Sequence, residues 1–141
     1  MWVGLAGGLL DVVEQQLADD DNAHHRAHLG AMRSSDWALT ALLDQAGRQI
    51  DEQPADLAAA RWRALALRHQ VEARCREILD RSGRAAGPRL ATATAGAAAQ
   101  AADLALYLRQ HHAEADDEVL GRLTTHGTRP QVAPDEPPFA P

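Results

Sequence analysis

Two long stretches of helical periodicity limit what this chain can fold into. In residues 57–78, apolar or small side chains recur every three or four positions, which places them on one side of an α-helix: Leu57, Ala60, Ala64, Leu67, Val71, Cys75 and Ile78. At about 1.5 Å per residue, this segment makes a helix about 33 Å long. Residues 23–50 show the same spacing, and no segment alternates apolar and polar residues as a strand would. The chain is therefore predicted to be all-α.

Shorter periodic segments complete the predicted fold. Residues 2–17 and about 94–112 are predicted to form the first and fourth helices, and "AEADDEVLGRL" extends the fourth or forms a short fifth. The string "DDDN" (19–22) should end the first helix and cap the second. Pro54 should lie in the first turn of the third helix, and Gly83 should cap its end. These elements predict an up-and-down four-helix bundle with a short terminal helix over residues 1–123.

The last segment, residues 124–141, has a different composition. It holds five of the seven prolines and no periodic apolar face. Such a segment has too little apolar surface to offset the entropy cost of ordering. A disordered proline-rich tail is predicted.

Charge and cysteine content exclude several classes of protein. The chain has 20 acidic and 14 basic residues, and all the basic ones are arginines scattered along the chain, so a nucleic-acid partner is not expected. Cys75 is the only cysteine, which excludes an internal disulfide and fits a cytoplasmic protein. The apolar start "MWVGLAGGLL" meets Asp11 well short of the ~20 residues of a membrane span. No signal peptide and no membrane span are predicted.

Two groups of histidines could suggest a metal site. His24 and His28 share a helical face, a spacing compatible with a metal ion, but a solvated first turn with His25 is favoured. No glutamate has a histidine three residues later, so the Glu-x-x-His ligand pairs of di-iron bundles are absent. Neither this group nor His111 and His112 is predicted to form a transition-metal centre.

Two polar residues interrupt the predicted apolar faces. Asp36 either pairs, buried, with an arginine of another helix such as Arg109, or faces water while Trp37 packs in its place. The second alternative is favoured because charged residues are seldom fully buried. His69 shares a second stripe with Trp62 and is predicted to be a hydrogen-bonded histidine in the core or at its boundary.

The string "YLRQHHAEAD" (107–116) is interpreted as the end of the last bundle helix. His111 follows Leu104 and Leu108 on the core side, and His112, Arg109 and Glu114 lie toward an edge. Packing or edge contacts are the favoured role, followed by contact with a flavin or substrate, and then by metal binding.

Four strings resemble the C-terminal helical domain of acyl-CoA dehydrogenases. "MWVGLAGGLLDVVEQQLA" is similar to its first long helix, "HHRAHLGAMRSSDWALTALLDQAGRQID" to the next, and "LRHQVEARCREILDRSGRAAGPRLAT" to the third and its glycine turn. "ADLALYLRQHHAEADDEVLGRL" resembles the closing segment of a flavin-dependent dehydrogenase-like subgroup. The resemblance covers residues 1–123, which correspond to the last third of such an enzyme.

The resemblance implies FAD-dependent oxidation of acyl-CoA thioesters by a larger assembly. The chain would be a fragment or split subunit, inactive and without bound FAD unless a partner supplies the missing domains. Glu114 is then the candidate catalytic base, although the family's glutamate turn is absent. Gly83, Gly87 and Arg109 are candidate cofactor contacts, because backbone N–H groups beside glycine can approach a pyrophosphate closely.

The alternative is a stand-alone helical oligomerisation or interaction module without flavin chemistry. The apolar stripe of the first helix begins at Trp2 and continues through Leu5 and Leu9. This stripe is predicted to form an exposed patch, and such patches usually mark interfaces. A homodimer or larger homo-oligomer is expected, most simply with two-fold symmetry.

Overall fold

The computed structural model describes residues 1–92, 96–110, 112–125 and 127. They form helices α1 (Trp2–Gln16), α2 (Ala23–Glu52), α3 (Leu57–Ala86), α4 (Arg89–Thr92), α5 (Ala97–Leu108) and α6 (Ala113–Thr125). The all-α prediction is confirmed, since no described residue lies in a strand. Thr124 and Thr125, the first two residues of the predicted tail, end α6. Gly127 is also described, and the rest of the predicted tail lies outside the described residues.

The junction between α1 and α2 is capped as the sequence predicts. The Asn22 side chain accepts a hydrogen bond of 2.9 Å from the backbone N–H of His24. Asp20 in turn accepts one of 2.8 Å from the N–H of Asn22. These acceptors satisfy N–H groups at the start of α2 that would otherwise be unpaired. The string "DDDN" therefore caps α2 as predicted, whereas α1 already ends at Gln16.

Both ends of α3 differ from the prediction. The helix starts at Leu57, capped by the Asp56 carboxylate, and Pro54 lies in the preceding turn. It continues through Gly83 to Ala86 and ends at Gly87, which has a φ of 53°. The predicted cap at Gly83 was wrong because burial of the following alanines against the core extends the helix by about one turn.

The predicted fourth helix corresponds to α5, which is shorter than the predicted segment 94–112. The one-turn helix α4 precedes that segment, and a turn at Arg109 and Gln110 separates α5 from α6. The string "AEADDEVLGRL" therefore lies in a separate short helix rather than extending the fourth. The predicted starting residue Thr94, like His111, lies outside the described residues.

Helix α1 lies at the centre of the fold. Its Ala6, Leu9, Leu10 and Val13 are fully buried against side chains of α2, α3 and α5. Trp2, Val3 and Leu5 are partly buried against the same core. The prediction of an exposed patch on this helix was therefore wrong, because the chain's own helices cover the stripe. The buried residues beyond α1 include Met32, Leu39, Val71, Cys75, Ile78, Leu104 and Leu108.

A close contact joins α1 to α5. The Gln100 side chain donates a 3.0 Å hydrogen bond to the backbone oxygen of Leu5. A Cβ atom at Gly8 would lie only 2.3 Å from the same Gln100 amide nitrogen. Glycine at position 8 therefore leaves the room in which this hydrogen bond forms.

Unequal helix lengths leave part of the fold without cover from α1. Helix α1 has 15 residues and α2 and α3 have 30 each, which gives lengths of about 22 Å and 45 Å. The Arg68 guanidinium lies 5.7 Å from the Trp2 ring, so the start of α1 lies beside the middle of α3. Beyond it, Leu43, Ile50 and Leu57 are 40%, 53% and 80% exposed. The predicted apolar seam of α2 is therefore only partly buried in its second half.

Asp36 and Trp37 follow neither of the two alternatives. Asp36 is half-buried and pairs with Arg33 of its own helix at 3.6 Å, not with Arg109. Trp37 is 74% exposed and does not replace it in the core. Instead Ser35, one residue earlier, is buried and donates a 2.7 Å hydrogen bond to Glu77 of α3.

Among the described helices, none is both long and apolar enough to cross a membrane.

Candidate functional site

The predicted site residues lie at different places in the fold. Gly83 and Gly87 are at the end of α3, Arg109 follows α5, and Glu114 is in the first turn of α6; all four are exposed. The turn between α5 and α6 is held near the middle of α3, where Arg68 donates to the backbone oxygen of Gln110 at 3.4 Å.

The distance along α3 separates these candidates. Gly83 follows Arg68 by fifteen residues of one helix, a rise of about 22 Å. Glu114 lies beside the Arg68 region, because its helical neighbour Asp116 is 3.7 Å from the Arg68 guanidinium. The structure therefore does not bring the candidate base and the candidate glycines into one site.

The histidines of α2 have separate neighbours. His24 is exposed, the His25 ring lies 2.8 Å from the Asp20 carboxylate, and His28 lies 3.4 Å from Arg81. No three His, Cys, Asp or Glu side chains in the part of the chain that the structure describes are placed to hold a metal ion. His112 is exposed before α6, and His111 lies outside the described residues.

Asp20 is a partly buried acidic residue whose pKa is perturbed by its neighbours. The backbone N–H of Asn22, the His25 ring and, at 3.4 Å, the Arg89 guanidinium all face its carboxylate. These interactions lower the pKa of Asp20 from 3.8 to about 2, with the Asn22 hydrogen bond the largest cause. The carboxylate stabilises the α1–α2 junction and links it to α4.

We expect the negative charge of Asp20 to stabilise the fold fully only at a pH above the range in which its carboxylate titrates. Because folding lowers this pKa, the stabilisation is present above pH 3.8 and is lost as the pH falls toward about 2. Asp20→Asn should therefore melt at a lower temperature than the wild type at pH 6, and the difference should shrink by pH 2. Thermal unfolding followed by circular dichroism measures it, with exposed Asp19→Asn as the control. A difference that does not change with pH would contradict this role.

Two other perturbed groups belong to the packing between helices. Hydrogen bonding from Ser35, and then from Arg81, holds the pKa of Glu77 below its usual value. Burial raises the pKa of the Cys75 thiol to about 11, which keeps it protonated and unreactive near neutral pH. Neither group lines a site for catalysis.

A depression of about 670 Å³ runs along the exposed side of α3. Its charged lining residues are mostly paired along the helix: Arg76 with Glu72, Arg81 with Glu77, and Arg84 with Asp80. Pairs of this kind one turn apart are ordinary features of exposed helices. This surface therefore offers no uncompensated charge to a ligand.

A second depression has a different character and is the candidate site. This groove, of about 440 Å³, lies where α2, α3 and α6 meet. Its apolar lining comes from Leu42, Ala46, Trp62, Ala66, Leu67 and Leu120, and its polar lining from Gln45, Gln49, Arg63, His69 and Gln70. The volume is within the range of small-molecule pockets, roughly 300–1,000 Å³.

Two side-chain contacts hold α6 beside the groove. The Trp62 indole N–H donates a 3.1 Å hydrogen bond to the Thr124 hydroxyl. This hydrogen bond fixes one end of the α3–α6 helix pair. About two helical turns further along α3, the His69 ring lies 2.9 Å from the Asp117 carboxylate of α6. These contacts run between antiparallel helices and position Leu120 over the groove.

Arg63 is the unusual residue of this groove. Its side chain is only 8% exposed, although arginine is almost never fully buried without a partner. Its neighbours Trp62 and Ala66 are apolar, and no carboxylate in the described part of the chain forms an ion pair with it. The groove therefore contains a positive charge that no carboxylate of the described residues neutralises.

Sequence reasoning found part of this site and missed its charge. Ala46 and Leu67 lie on the predicted apolar faces, and His69 lies at the core boundary as predicted. Arg63 was missed because an arginine between Trp62 and Ala64 reads as a solvated residue. Only the placement of α2 and α6 against this face buries it.

Comparisons with protein-family models, with curated proteins and with solved structures find no match to this chain. The resemblance to the acyl-CoA dehydrogenase C-terminal domain stays a prediction.

Proposed function

We propose that this chain is a non-catalytic binding module whose α2–α3–α6 groove takes a small apolar molecule. This is a specific form of the interaction-module alternative. The observation that carries it is the groove itself: apolar side chains from three helices line a space of about 440 Å³. Burial of apolar ligand surface in such a space is favourable in proportion to the area removed from water.

The positions of the other candidates favour this proposal over a flavin site built by this chain alone. Glu114 and the glycines of α3 are separated along the fold. FAD-dependent oxidation of acyl-CoA remains a separate prediction that requires a partner with the missing domains. We also propose that α1, α2, α3 and α5 form the up-and-down bundle, with α6 as the short terminal helix.

The predicted homo-oligomer stays a prediction, but its expected contact changes. Polar replacement of Leu5 or Leu9 would disturb the core rather than an interface, because α1 is covered. We expect the contact to involve Leu43 and Ile50 of α2 and Leu57 of α3 instead, because these apolar side chains are exposed.

Titration of the ¹⁵N-labelled protein with octan-1-ol tests the binding-module proposal. We expect saturable shifts of backbone amide signals in residues 42–49, 62–70 and around 120. Ala66→Phe should fill the groove and abolish these shifts. Ala73→Phe is the matched control, since residue 73 is exposed on the same helix but outside the groove.

Circular dichroism should show that both phenylalanine variants keep the helical fold. Absence of saturable shifts in the wild type, or shifts that persist unchanged in Ala66→Phe, would exclude the groove as the binding site.

A further inference from the structure

We propose that the ligand of this groove is an apolar monocarboxylate whose carboxylate binds the Arg63 guanidinium. This inference rests on the proposed function and names its ligand class. The guanidinium carries five N–H donors in a planar fork that matches a carboxylate with two parallel hydrogen bonds. An alkyl or aryl body attached to that carboxylate would lie against the apolar lining.

The first step of the argument is that the positive charge of Arg63 has no partner in the fold. Arg63 as a whole is 8% exposed, and its guanidinium nitrogens are not among the buried polar atoms that lack a hydrogen-bond partner. They therefore keep contact with solvent, and a carboxylate can form charge-assisted hydrogen bonds with them there. The other described arginines of intermediate exposure, Arg33, Arg74 and Arg81, each have a carboxylate within 4 Å. A bound anion would supply the missing compensation at Arg63.

The second step is that the acids around the groove are engaged elsewhere. Asp56 caps α3 through the N–H of Ala59, Asp116 lies beside Arg68, and Asp117 contacts His69. On the second half of α2, Asp44, Asp51 and Glu52 are exposed and form no ion pair with Arg63 in the described structure. No described side chain on the surrounding helices thus neutralises the guanidinium.

The third step concerns the charge and polarity of the ligand. Arg63 is the only arginine that lines the groove, and the one lining histidine already faces Asp117. One fixed positive charge matches one negative charge, whereas a phosphate dianion would bring a second charge into apolar surroundings without a partner. The apolar side chains favour a hydrocarbon body over a sugar or another strongly polar group.

The volume limits the length of the ligand. A space of about 440 Å³ corresponds to about fifteen water molecules at ~30 Å³ each. A carboxylic acid of about ten to fifteen non-hydrogen atoms fits it, the size of a medium-chain fatty acid or a short arylalkanoic acid. Octanoate is within this range and is the probe used below.

Calorimetric titrations of the full chain with octanoate, octan-1-ol and octyl phosphate test the inference. At pH 7 we expect octanoate to bind the wild type at least tenfold more tightly than octan-1-ol, and more tightly than octyl phosphate. Arg63→Met keeps a long apolar side chain but no charge, so it should lose the preference for octanoate over octan-1-ol. Arg61→Met, at an exposed neighbouring position, should retain the wild-type preference.

Arg63→Lys provides a second variant with the charge but without the planar fork. It should retain part of the preference, because a lysine binds a carboxylate as a point charge. Thermal unfolding of each variant checks that it is folded.

The outcomes separate this inference from the proposed function. Equal affinities of the wild type for octanoate and octan-1-ol, or a preference that survives in Arg63→Met, would refute the carboxylate assignment and leave the apolar groove intact. Tighter binding of octyl phosphate than of octanoate would also refute it. Failure of both octanoate and octan-1-ol to bind would refute the binding-module proposal as well.

Discussion

Replacement of Leu9 by alanine is expected to lower the free energy of unfolding by about 2–5 kcal/mol, the cost typical of a buried leucine. Leu9 is fully buried on α1, the helix whose residues contact α2, α3 and α5. Truncation removes apolar contacts and leaves a cavity that the surrounding helices can only partly fill. The effect is large relative to the total stability of an ordinary domain, about 5–15 kcal/mol.

Urea unfolding followed by circular dichroism measures the effect. Leu106→Ala is the matched control, because Leu106 is 59% exposed on α5 and its truncation should change stability by no more than about 0.5 kcal/mol. Sedimentation of Leu9→Ala separates this account from the sequence-based one. A variant that unfolds like the wild type but dissociates from an oligomer would place Leu9 at an interface and contradict its burial in the core.

Alanine at Gly87 and at Gly83 is expected to change stability in opposite directions. Gly87 has a φ of 53° and a ψ of −140° at the end of α3, a conformation that costs other residues about 1–3 kcal/mol. Gly83 lies inside the helix with no unusual φ. There alanine should stabilise the protein by up to about 1 kcal/mol, because it loses less backbone entropy than glycine.

The two variants control each other, since each adds one methyl group to the same helix end. A Cβ atom at either position would meet no other atom within 4 Å, so a difference between them reports backbone conformation rather than crowding. Thermal and urea unfolding at pH 7 provide the measurement. If Gly83→Ala proves the more damaging change, the helix ends at Gly83 as the sequence predicts and the assignment of Gly87 as its cap fails.

The sequence by itself determined that the chain is helical and where several helices begin. Periodicity and caps depend on residues no more than four positions apart, so short strings carry the whole signal. Asn22 caps α2 through a neighbour two residues away, and Leu9 of the predicted α1 stripe is fully buried. Ala46 and Leu67 of the groove were placed on apolar faces for the same reason.

Only the tertiary structure decided which parts of those faces are covered. Leu43 continues the same stripe as Met32 and Leu39, yet it is exposed, while Ala46, further along that stripe, is buried. Arg63 differs from its sequence-based expectation in the opposite direction. We expected this residue to face water, but it is buried because α2 and α6 pack against its side of α3. Burial depends on which helices meet over a residue, and that is set by contacts between segments far apart in the chain.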